Sequence, residues 1–129
     1  MLLIAMLLAA SGDARCSSIE TADLIACADA DYRRADASLN AAYRAAMAKA
    51  RAADGSVPAS ARAENDGTSY PQALLSSQRT WLAYRDAECA QQVWANAGGR
   101  ERPIYKFGCL ATLSQARTKQ LRDDFSQGH

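Results

Sequence analysis

From Leu24 to Ala50 the apolar side chains return every three or four residues, or at sums of those steps. Leu24, Cys27, Ala28, Ala35, Leu39, Tyr43, Met47 and Ala50 therefore share one face of an amphipathic helix of roughly thirty residues. Alanine makes up about a fifth of the chain, and Val57 and Val93 are its only valines. That balance favours helix and gives strands little support. Thr21 stands where an N-cap belongs, and Asp54-Gly55 with Pro58 beyond marks the end.

Residues 54–70 carry two Asp-Gly pairs, a proline and little apolar content, so they read as a loop. Pro71 suits the first turn of a second helix, where its missing N–H costs nothing. Leu74, Gln78, Trp81, Leu82, Arg85, Cys89 and Val93 form its inward stripe, which stops near Asn96, before Gly98-Gly99. Pro103 opens a third helix, with Ile104, Phe107, Leu110, Ser114, Arg117, Leu121 and Phe125 along one side. The expected fold is all-α: a small three-helix bundle, or helical hairpin, of long antiparallel helices with two disulfides. Its 129 residues suffice for one domain, and no internal repeat is visible.

Leu2 to Ala10 is a short apolar run followed by small and polar residues. As helix it spans about 14 Å, roughly half a bilayer core. It reads as a secretory signal over residues 1–14, cut after Ala14 in preference to Gly12, although no Lys or Arg precedes the run. Residues 15–129 are then one helical domain with no stable membrane anchor, in the periplasm or secreted. The context of Cys16 does not fit a lipoprotein.

Export agrees with the four cysteines, all beyond the cleavage site, where an even number pairs in an oxidising compartment. Zinc is the rival reading, but there is no C-x-x-C and the single His is His129. If the second and third helices are antiparallel about residue 99, Cys89 and Cys109 each lie ten positions from the turn and face each other. Cys16 lies just before the first helix and Cys27 in its second turn. Of three connectivities, Cys16–Cys27 with Cys89–Cys109 is the most local and the preferred one.

The formal charge of +1 becomes +2 once residues 1–14, with Asp13, are removed. A nearly neutral chain lacks the dense basic face that nucleic acid requires. Catalysis finds no support either: His129 stands alone at a terminus, and Asp86 and Glu88 point to different sides of a helix. No nucleotide, metal or cofactor motif is present.

Polar residues interrupt the inward stripes. Asp36, Asn40, Gln78, Arg85 and Arg117 share faces with Leu39, Trp81, Cys89 and Leu121. A buried guanidinium needs a partner, so Arg85 or Arg117 is expected to bond Asp36, with Asn40 or Gln78 completing the network. An interhelical lock is the plainer reading of this cluster, and a ligand pocket the functional one. Trp81 belongs to the core stripe. Tyr84 and Trp94 lie off its centre, with partial burial against the third helix the plainer expectation and exposure as contact anchors the functional one.

The ordered set Cys16…Thr21…Cys27…Tyr32…Asp36…Leu39-Asn40…Tyr43 resembles the opening of the LprI-like lysozyme-inhibitor family. Gln78-Arg79…Trp81-Leu82…Tyr84-Arg85-Asp86…Cys89, then Gly98-Gly99 and Cys109…Arg117…Leu121, resemble its second half. Together they span about residues 16–122. The resemblance implies a secreted or periplasmic helical domain that binds protein, with lysozyme or another wall hydrolase as partner. The loop at 54–70 looks longer than the family's usual connection.

On that reading Arg100 or Arg102, on a turn held rigid by the 89–109 bridge, reaches into an acidic cleft, and Trp94, Tyr84, Tyr105 and Lys106 extend the contact. The competing reading is an envelope interaction or toxin-immunity module with a non-lysozyme partner. The lack of long-range electrostatic steering toward basic lysozymes suits it.

Overall fold

The computed structural model describes residues 13–96 and 98–126. The expected export signal, apart from Asp13 and Ala14, and His129 lie outside them. Helix α1 spans Thr21–Asp54, α2 Ala59–Glu64, α3 Tyr70–Asn96 and α4 Arg102–Ser126, with short 3-10 turns at Ala14–Ser17 and Gly99–Glu101. The fold is all-α, and the disulfides join Cys16 to Cys27 and Cys89 to Cys109. No helix among the described residues is long and apolar enough to cross a membrane.

The long helices run up, down and up. Tyr70, at the start of α3, packs at a tilt against Phe125 near the end of α4, with ring centroids 5.5 Å apart. Its N–H donates to the Asp54 carboxylate at the end of α1 (3.1 Å). Lys49 of α1 donates to the Phe125 carbonyl (3.1 Å). These contacts define the base of the bundle, and the Gly99–Glu101 turn defines its tip. Helices α1 and α4 run parallel and make the most extensive interface. Ala35, Ala42, Ala46 and Ala50 of α1 and Ala111 and Ser114 of α4 are all buried. Small side chains let two helix axes approach closely.

The apolar core is not evenly spread. Leu39, Ala42, Ala46, Met47, Ala50, Leu74 and Leu121 form one buried cluster in the basal half, with Tyr43, Trp81 and Phe125 packed on it. Toward the tip the buried apolar residues are Ala28, Ala35, Cys89, Val93, Leu110 and Ala111. That is less apolar volume, and the Cys89–Cys109 link (Cα–Cα 5.6 Å) joins α3 to α4 there.

Three expectations need correction. Thr21 is the first residue of α1, and Glu20 is the N-cap, without a capping side-chain bond. The local polar partner is Ser18, whose hydroxyl accepts from the Glu20 N–H and donates to Asp23. Residues 54–70 are not plain loop, because α2 forms inside them. Asp54 organises the segment by accepting from Arg62 (2.8 Å) as well as from the Tyr70 N–H. Ser69 and Gln72 then exchange side-chain and backbone bonds, a reciprocal cap that starts α3. Lastly, Trp81 is half-buried at the edge of the core cluster.

Candidate functional site

Arg85 lies in the middle of α3 and crosses toward both other long helices. Its side chain is 8% exposed and lies over Tyr32 of α1 (5.5 Å) and Trp81 of its own helix (5.7 Å). Its guanidinium approaches Asp36 at 3.5 Å and Asp86 at 3.0 Å, and donates to Ser114 of α4 at 3.3 Å. Asn40 donates to Asp36 (3.3 Å), and Phe107 stacks on Tyr32 (6.1 Å). Both carboxylates are substantially solvated while the guanidinium is not. The charge is thus neutralised at the wall of the bundle, and its stem fills space between aromatic rings.

Arg117 also lies by Trp81, 5.9 Å from the ring centroid. Its Nε donates to Gln78 (3.0 Å), and its terminal nitrogens donate to Gln120 (2.7 Å) and Ser77 (3.1 Å). Burial lowers its pKa from the usual arginine value, and the charge of Asp124 opposes that shift. The five polar residues singled out from the sequence therefore fall into two groups. Arg85 gathers Asp36 and Asn40, whereas Arg117 pairs with Gln78. Periodicity had given no reason to select Asp86, Ser77 or Gln120 as partners. Gln120 was accessible in principle, since a residue three positions on lies on the same helical face.

At the tip, Val93 is buried against the bundle, and Trp94, about 100° further round the helix, is 81% exposed. Partial burial of Trp94 against the third helix is thus not found. Instead the Arg102 guanidinium lies over its ring at 5.5 Å. Tyr105, 48% exposed, is three residues beyond Arg102 on the same side of α4. Gly99, with φ +63°, takes the left-handed conformation that lets the chain reverse, and Arg100 follows it, exposed. Tyr84 is exposed too, but ten residues before Trp94 it lies about 15 Å away along the helix. The structure thus brings Trp94, Arg102 and Tyr105 to one end and leaves Tyr84 apart. Arg100, Arg102 and Lys106 against Glu101 give residues 94–106 an excess of two positive charges, while the whole chain carries +1.

The geometry defines a class: a disulfide-stapled helical bundle with an aromatic and basic tip. A family model described as lysozyme inhibitor LprI matches residues 13–121, and the chain belongs to that family. It is also similar to an uncharacterized protein of Rhizobium meliloti (strain 1021), with 37% identity over 106 residues covering 82% of this chain and 74% of the relative. No solved structure matches.

Proposed function

We propose that this protein is an exported, non-enzymatic binding protein that inhibits a lysozyme-type wall hydrolase through the tip formed by Trp94, Arg100, Arg102 and Tyr105. Family membership supports the inhibitor reading, and the disulfides support an oxidising compartment, periplasmic or extracellular. The observation that carries the choice of surface is Trp94, a large aromatic left in solvent beneath an arginine, on a turn anchored by the buried Cys89 bridge. Large exposed aromatics and arginines dominate binding energies at interfaces. A turn whose flanking helices are covalently linked has less freedom to lose on docking.

The local charge excess suits the carboxylate pair that a glycoside hydrolase keeps in its cleft. The partner's remaining surface is then free to be basic, since the rest of this chain is close to neutral. Residues 1–14 are proposed as the export signal. Cleavage after Gly12 keeps Asp13 beside Arg15, cleavage after Ala14 does not, and N-terminal sequencing distinguishes them.

The test is titration of the purified protein into a muramidase lysis assay. Inhibition saturating at one equivalent, relieved by Trp94→Ala with Arg102→Ala, is expected. Full lysis at molar excess overturns the reading, and recovery of one stoichiometric non-muramidase partner from envelope extract replaces it with the interaction-module alternative.

A further inference from the structure

Between the first turns of α3 and the last turns of α4 lies a cavity of about 540 Å³. That is within the range of small-molecule sites, roughly 300–1,000 Å³. Arg117 forms part of its lining, as do Ser77 and Gln120, which hold the guanidinium. A guanidinium has five N–H donors. Three are committed to neutral oxygens, and the ion pairs among the described residues do not include Arg117. Arg85, equally buried, has two carboxylates. A buried positive charge with no carboxylate in direct contact, Asp124 acting on it only from a distance, loses hydration that neutral dipoles only partly restore. This favours an anionic group that brings the missing charge to the two remaining donors.

The rest of the lining narrows the choice. Asp123 and Asp124 border the same cavity. Asp123 is engaged by Lys119, while Asp124 has no ion pair among the described residues. A phosphate, sulfate or polyanion would meet these acids at the mouth and be repelled. A ligand with a cation beside its carboxylate would not. Leu74, Tyr70 and Phe125 supply an apolar wall for a side chain.

We propose that this cavity binds an α-amino-acid head group, with its carboxylate on Arg117, its ammonium toward Asp124 and its side chain against Tyr70 and Phe125. The head group is either that of a free amino acid or the free end of a diamino acid carried on a wall peptide. The site lies at the opposite end from the tip, so it stands or falls independently of the inhibitor reading.

The test uses the full chain and NMR titration at millimolar ligand. Leucine is expected to give saturable shifts at Ser77, Arg117 and Gln120. N-acetyl-leucine, lacking the ammonium, and leucinamide, lacking the carboxylate, should each bind about tenfold more weakly, the loss of one charge-assisted contact. Because Arg117 also ties two helices together, the informative variant is Asp124→Asn at the exposed rim. It should weaken leucine about tenfold and bind N-acetyl-leucine at least as well as the parent chain does. A wall peptide with a free diamino-acid end, titrated in parallel, identifies the source by binding more tightly or more weakly than leucine. Absence of saturable shifts with both leucine and that peptide overturns the proposal. So does equal binding of leucine and N-acetyl-leucine.

Discussion

The basal and apical halves of this bundle are held together by different physics. Below Trp81, α1, α3 and α4 bury a continuous cluster around Leu39, Met47, Leu74 and Leu121, and the aromatics Tyr70 and Phe125 cover each other. Above it the interior thins to alanines with Val93 and Leu110. There the helices are joined by the Cys89–Cys109 link and the stack of Phe107, Tyr32, Arg85 and Trp81. The staple thus stands where burial alone contributes least. Because covalent linkage carries the apical half, its aromatic Trp94 need not be spent on the core and remains available for contact.

The sharpest way to break this contrast is in the base. Leu121→Ala, at a fully buried position, is expected to lower unfolding free energy by about 3–4 kcal/mol in urea titration. A loss below about 1 kcal/mol would mean that the basal cluster is not the principal core. Next, Cys89→Ser with Cys109→Ser should cost about 3 kcal/mol. Hydrogen exchange should then show α3 and α4 opening first near the Gly99–Glu101 turn while the base stays protected. Uniform loss of protection would argue against two separately held halves.

Arg85→Ala should cost about 2 kcal/mol, chiefly through lost packing between Tyr32 and Trp81, since Asp36 and Asp86 are left solvated. Trp94→Ala should change stability by less than about 0.5 kcal/mol. It should nonetheless weaken the inhibited complex at least about tenfold, measured by titration calorimetry. A stability loss comparable to Arg85→Ala would show that Trp94 supports the fold.

The smallest effect concerns Asp13, whose carboxyl Arg15 holds down to about 2 through side-chain and backbone hydrogen bonds. Its contribution to the Ala14–Ser17 turn is present above the ordinary carboxylate range and disappears as pH falls through about 2. In a chain that retains Asp13, NMR titration should find that midpoint, and Arg15→Ala should return it toward the ordinary value.

Much of this architecture was readable along the chain. The steps from Leu24 to Ala50 place α1, the ten-residue offsets of Cys89 and Cys109 from the turn place their link, and Pro71 and Pro103 lie in the first turns of α3 and α4. All of these depend on helical repeat and chain distance, which are local quantities. The short helix α2 escaped because its order comes from Asp54 accepting from Arg62 and from the Tyr70 N–H, groups brought together only by the closing of the loop.

The polar residues on the inward faces were equally visible, but their grouping was not. That Arg85 meets Asp36 while Arg117 meets Gln78 depends on how α1 is rotated and placed relative to α3 and α4. A guanidinium on a long flexible stem reaches several alternatives at equal sequence spacing. The same holds for Trp94. Its position one residue after Val93 turns it off the buried stripe, and no helix among the described residues covers it on that side. Helical repeat thus specified the rods and their staples, whereas side-chain pairing and exposure followed from their mutual rotation, since those contacts lie between segments distant in the chain.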